Sequence, residues 1–245
     1  MATNPDTFNW REYDRRLFAA VALVFPLTVL LGFARTYYLK VAFGTAPLPS
    51  MLVHVHGALM TTWVAFFIAQ VWLIRSKNHR THMKFGMLGI ALAIAMVVVG
   101  FFTAVAAAKY GSPSSPPGIP PLGFLVVPFF DIAMFAGLFA AAIYYRKRPA
   151  DHKRLMLLTA INFLPPAVAR FPFEPFISAG PLLFFGVPAA LMIVLLVLDT
   201  RKNGTVNKPF LIGSLILIAS YPLRLVLGGT AAWLAFAAWL TGWAA

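Results

Sequence analysis

Met51 to Gly89 reads MLVHVHGALMTTWVAFFIAQVWLIRSKNHRTHMKFGMLG. Its apolar run carries His54 and His56 at the front and His79 and His82 just past the back. At 1.5 Å rise per residue, His56 to Arg75 makes roughly 28 Å of helix, about the hydrocarbon thickness of a bilayer. Four of the five histidines therefore bracket one membrane crossing, two near each surface. The stretch places an α-helix in the membrane and puts candidate chemistry at two depths.

The rest of the chain extends that reading. Of its 245 residues 60% are hydrophobic and 11% charged, with mean hydropathy +0.81. Soluble domains carry about 25% charged residues, so there is too little polar surface here to face water all round. Cysteine is absent, which excludes disulfides, iron–sulfur clusters and thiol catalysis. The polar first sixteen residues, followed by a long apolar segment without a small-residue cleavage site, read as an uncleaved signal anchor.

The net charge of +13 could suggest a nucleic-acid partner, but its placement argues for topology instead. Arg11, Arg15, Arg16, then Arg75, Lys77, Arg80, Lys84, then Arg146, Lys147, Arg148, Lys153, Arg154, then Arg201, Lys202, Lys208 are fifteen of the twenty bases. They precede the first crossing and fill every second loop after it. That alternation puts the N-terminus in the cytoplasm of a bacterial inner (plasma) membrane, with lipid as the first partner, membrane-complex subunits as further candidates and no nucleic acid.

The expected fold is all-α integral membrane, a single domain over 1–245 with seven transmembrane helices. They cover 17–34, 51–74, 83–108, 123–145, 152–169, 181–198 and 210–227, with Pro26 inside the first and Pro165-Pro166 interrupting the fifth. The loop 109–122 is rich in proline, glycine and serine and is expected to lack helix. The uncharged tail 230–245, with Trp233, Trp239 and Trp243, is expected to lie as a helix in the outer interface, a short eighth span being the alternative. Arg75–Met83 aligns with Arg148–Met156 at an offset of 73, sharing R-x-x-[N/D]-H-[R/K]-x-x-M. Both copies sit between an inward and an outward helix. Helices 2–3 and 4–5 then form parallel copies that build a four-helix core from helices 2–5, although short basic turns with Asn78 and Asp151 as N-caps would produce the same pattern.

Two sets of residues are candidates for chemistry. The inner, cofactor-binding set is His79, His82 and His152. His79 and His82 are three apart and share a helix face. Neutral imidazole is the metal-ligating form, and a helix N-terminus flanked by bases favours it. The same bases repel a bare divalent ion and attract an anionic cofactor such as haem through its propionates. The outer set is His54, His56 and Asp131, a candidate transition-metal site. Asp131 lies about 12 Å inside its helix and needs a partner there. His54 and His56, about 200° apart around a helix, cannot both face one partner without local unwinding. Asn162, Arg170, Glu174, Tyr221 and Arg224 are the other polar groups at similar or shallower depth. A structural Asp131–histidine or Asp131–arginine pair is the competing reading.

HVHGALM, HRTHMKFG and DHKRLMLLT resemble motifs of uncharacterised bacterial multi-pass membrane families. More distantly they resemble the ascorbate-reducing two-haem b-type cytochromes, in which histidines on the second and fourth, and the third and fifth, of their helices pair as axial ligands. That resemblance covers about 120 residues and implies electron transfer through one b-type haem between His79 or His82 and His152. It supplies no fourth-helix histidine for the second haem, since only Asp131 stands near that place. A small-solute transporter or a structural subunit of a membrane complex is the alternative reading, motivated by prolines crowding the second half, Pro116 and Pro117 among them. A membrane-embedded metal-dependent hydrolase is the third, and it lacks the late His-x-x-x-His pair that such seven-helix zinc hydrolases carry.

Overall fold

The computed structural model describes residues 10–112 and 118–243; Pro116, Pro117 and the side chains of Arg11, Arg15 and Arg16 lie outside what is described. All regular structure among the described residues is helical. Helix α1 (Trp10–Phe33) runs into one π turn (Ala34–Tyr38). Helices α2 (Met51–Arg75) and α3 (His79–Tyr110) form an antiparallel hairpin. A short α4 (Pro121–Phe124) leads into α5 (Val126–Tyr144), then α6 (Pro149–Ile161) and α7 (Leu164–Val168). After them come α8 (Glu174–Ala179), α9 (Pro181–Asn203), α10 (Lys208–Leu227) and α11 (Ala231–Trp243). Six helical segments are long and apolar enough to cross a membrane: Ala19–Tyr38, Met51–Arg75, His79–Tyr110, Pro121–Lys147, Pro181–Asn203 and Lys208–Leu227. The protein is an all-helical membrane protein.

Local chemistry explains where the elements differ from expectation. Helix α3 begins at His79 rather than 83 because the Asn78 side chain accepts from the Thr81 N–H at 3.2 Å and caps a polar first turn. Helix α10 begins at Lys208 because the Asn207 side chain accepts from the Phe210 N–H at 3.0 Å. Helix α9 continues through a polar last turn to Asn203 and stops at Gly204, whose φ of +66° suits glycine. The fifth expected helix is two pieces, broken at Asn162-Phe163 rather than at the prolines themselves. Pro165 and Pro166 have no N–H to give the carbonyls of Ile161 and Asn162, so the ladder fails four residues upstream.

That broken segment is the most enclosed part of the molecule. Leu158, Thr159, Ala160, Asn162 and Ala167 have no exposed surface. Helices α5 and α10 pack on α6, and α1 and α9 pack on α7. The expected helices 2–5 do pack in chain order, α2 on α3, α3 on α5 and α5 on α6. The deepest burial nevertheless lies in α6–α7, which the first, sixth and seventh expected helices also enclose. Gly32 of α1 lets the chain come against the Ala167 carbonyl, where a Cβ would clash with backbone. On α2, Trp63 is 1% exposed and meets Phe135 and Phe139 edge-on, so these rings are core rather than cofactor contacts.

Two ends of the bundle are defined by contacts. The turns after α2, α5 and α9 meet at one end, through His82 with His152 and through Asn207 with Asp151. These are the turns rich in Arg and Lys, and this is termed the basic end. At the far end Gly123 and Gly228 approach so closely that a Cβ on either would strike the other's backbone. Helix α11 packs there on α3 and α4, with the Trp233 indole N–H donating to the Leu122 carbonyl at 3.0 Å.

Candidate functional site

At the basic end two of the three expected inner histidines converge. His82 is the fourth residue of α3 and His152 the fourth residue of α6. Equivalent positions in the two helices bring their rings to 6.3 Å between centroids, inclined at 78°. Both are half-buried, whereas His79, the first residue of α3, is exposed. The sequence repeat aligns His79 with His152, but the fold aligns His82 with His152, three residues further on. The two motifs also end differently. Asn78 caps α3, whereas Asp151 sits inside the first turn of α6 and accepts from the Asn207 side chain at 2.6 Å.

The two rings are half-buried, and their nitrogens differ in partners. His152 Nδ1 lies 2.8 Å from the Ala142 carbonyl. Donation there leaves Nε2 with its lone pair, the arrangement that orients ligating histidines in metal sites. His82 Nδ1 is buried without a hydrogen-bond partner. The Gln70 backbone of α2 hydrogen-bonds the His82 ring, and both side-chain polar atoms of Gln70 are buried and unpaired. The unpartnered atoms lie on α2 and α3, and the bonded His152 ring of α6 faces the His82 ring.

Beside them stands a saturated ion pair. Arg154 grips Asp199 with two parallel bonds, Nε to Oδ2 at 2.8 Å and an Nη to Oδ1 at 2.6 Å. Its other Nη donates to the Ala150 carbonyl at 2.6 Å. Both residues are about 5% exposed. The fork joins α6 to α9. No reading of hydropathy would have selected it, since both residues fall in stretches that look like helix ends; Asp199 as an acid among the bases of its turn was the available signal.

The outer set does not assemble as expected. Asp131, 8% exposed, pairs with Arg224 of α10, not with a histidine of α2. This is the arginine alternative. Arg224 has no exposed surface; its second Nη donates to Ser220 Oγ at 3.1 Å, and Tyr221, Phe130 and Phe185 offer ring faces to the guanidinium. Asn162, at the break between α6 and α7, donates to the Asp131 backbone carbonyl at 2.9 Å. Arg224 Nε, Tyr221 Oη and Asn162 Oδ1 are left buried without partners. His54 is exposed, and His56 is half-buried where Arg170 acts on it electrostatically. Arg170 lies over the Phe33 ring at 4.7 Å and donates to the Pro166 carbonyl. Burial pushes the Arg170 guanidinium down to about 10, so it stays charged at neutral pH. Among the described residues no three of His, Asp and Glu are grouped to hold a metal, and His54, His56 and Asp131 are not brought together.

No protein-family model, no curated protein and no solved structure matches the chain.

Proposed function

We propose that the protein is a seven-crossing membrane protein that holds one redox centre, a b-type haem or a transition-metal ion, at its basic end. The observation that carries this is the convergence of His82 and His152 from separate helices, each with a nitrogen suited to ligation. Taken together, α6 and α7 span Pro149–Val168, which at 1.5 Å per residue is about 30 Å and supplies the seventh crossing. The alternating bases support a cytoplasmic N-terminus in a bacterial inner membrane, which places this centre near the cytoplasmic surface. Helix α11 has 13 residues, about 20 Å by the same rise, too short to cross. Its start beside Gly228 and its last turn beside Ala108 and Lys109 are both at the far end, which supports a helix lying in that interface. A bound haem or metal would supply one-electron transfer. The chain would ligate it through His82 and His152, fix the His152 ring through the Ala142 carbonyl, and present Arg80 and Lys84 to any propionate. Protein purified from haem-replete cells is expected to show a Soret band or one tightly held metal ion per chain; a colourless, metal-free preparation contradicts the reading.

A transporter reading draws on a different observation, the discontinuous α6–α7 helix with polar Asn162 at its break beside Asp131 and Arg224. Half-helices at buried polar groups are a common way to build a solute site. It predicts thermal stabilisation by a small polar solute that Asn162→Ala abolishes.

A further inference from the structure

We infer that the buried cluster around Asp131 and Arg224 binds one small uncharged solute that carries both a hydrogen-bond donor and an acceptor, as an amide or a urea does. This rests on the transporter reading above and names the solute class that reading leaves open. Every residue of the cluster touches Asp131 or Arg224. Asn162, at the break between α6 and α7, donates to the Asp131 backbone carbonyl at 2.9 Å, and Arg224 pairs with the Asp131 carboxylate. Tyr221 sets its ring 5.3 Å from the guanidinium and stacks on Phe185 of α9 at 4.8 Å. Asn162 and Arg224 have no exposed surface, and Tyr221 is buried. Each nevertheless keeps one polar atom without a partner: Asn162 Oδ1, Arg224 Nε and Tyr221 Oη. Buried polar atoms are almost always paired, so three orphans in one cluster mark the place of an occupant. At the Arg154–Asp199 fork, by contrast, each guanidinium nitrogen of Arg154 has an acceptor. Orphaned donors are therefore not the ordinary result of burying an ion pair in this bundle.

The orphans define the chemistry of the occupant. Arg224 Nε only donates, Asn162 Oδ1 only accepts, and the Tyr221 hydroxyl does either. A solute that satisfies them offers an acceptor to the guanidinium and a donor to the amide oxygen. Its charge is set by the pair already present. Asp131 and Arg224 are one negative and one positive charge bonded to each other, so neither sign is in surplus. An entering ion would stand uncompensated beside the rings of Phe130, Tyr221 and Phe185 and the closed α6–α7 segment, where a lone charge is costly. A cation meets the arginine and an anion meets the aspartate. An uncharged donor–acceptor molecule meets neither penalty.

The test uses the full-length protein in sealed proteoliposomes and follows solute entry as swelling, by light scattering. Acetamide and urea are the uncharged probes. Guanidinium, a cation shaped like urea, and methanesulfonate, a compact anion, are the charged ones, each with a membrane-permeant counter-ion. Wild type is expected to admit acetamide or urea faster than protein-free vesicles do, and to leave entry of both ions unchanged. Tyr221→Phe keeps the stacked ring and removes only the unpaired hydroxyl. It is expected to slow that entry about ten-fold, the effect of one lost hydrogen bond, while melting without solute at or above the wild-type temperature. A lowered melting temperature would show that the hydroxyl is bonded within the protein and would overturn its place in the site. Asn162→Ala, which removes the acceptor, decides the matter if Tyr221→Phe does not fold. Uncharged entry as fast in both variants as in wild type would overturn the site. Entry of guanidinium or methanesulfonate that Asn162→Ala abolishes would overturn the uncharged class and keep the transporter reading. Wild type that admits none of the four probes, its orphaned atoms met by buried water alone, overturns the transporter reading and this inference together.

Discussion

Each end of the bundle holds a pair of candidate histidines and a buried aspartate–arginine pair, yet the two ends are built differently. At the basic end the histidines meet and the ion pair is saturated, with Arg154 and Asp199 sharing two bonds and Ala150 taking a third. Nearer the far end the histidines stay apart, and Arg224 makes a single bond to Asp131, leaving its Nε bare. The difference follows from register. His82 and His152 occupy the same position in two helices that start side by side, whereas His54 and His56 leave one helix on opposed faces. It teaches that an intramembrane charge pair is a lock when every donor is used, and an open question when it is not.

The largest effect that bears on this contrast comes from cutting one partner. Arg154→Ala or Asp131→Ala leaves a buried charge unpaired and is expected to cost about 3–5 kcal/mol in thermal or denaturant unfolding. Replacing both partners by apolar side chains separates the two ends. Asp131→Leu with Arg224→Met removes an incompletely bonded pair and is expected to be neutral or stabilising by about 1–4 kcal/mol. Arg154→Met with Asp199→Leu discards a two-bond fork and a carbonyl contact, so it is expected to remain destabilising, by roughly 1–3 kcal/mol. Equal outcomes for the two double variants would erase the contrast. The smallest effect lies in the turn beside the histidines. Lys77, at φ +60°, is the left-handed residue that ends α2, and among the described residues no other non-glycine has a positive φ. Lys77→Gly relieves that strain and is expected to raise stability by about 0.5–1 kcal/mol without altering metal binding; lower stability would show that the lysine side chain is itself held there.

How much of this could be read in the sequence varies by the kind of signal. The apolar runs mark the membrane-spanning helices, but hydropathy is blind to the polar first turn of α3 and the polar last turn of α9, which caps rather than apolarity decide. Pro165 and Pro166 announce a break yet place it wrongly, because a proline's missing N–H acts on the carbonyl four residues earlier. The depth of Asp131 was legible and its need of a partner with it. The choice of Arg224 among the candidate partners was not, since it lies 93 residues away and reaches Asp131 only through how α10 rotates against α5. The repeat aligns His79 with His152, whereas the helices match by their starts and bring His82 beside His152. Gln70 carried no signal at all, being one polar residue in an apolar run, and it stands out only by what its amide lacks.

The most direct test of the redox centre compares three single variants, His79→Ala, His82→Ala and His152→Ala, for bound metal or haem per chain and for the associated absorption. His82→Ala and His152→Ala are expected to lose the centre while His79→Ala retains it in full. Loss in His79→Ala with retention in His82→Ala would contradict the pairing on which the account rests.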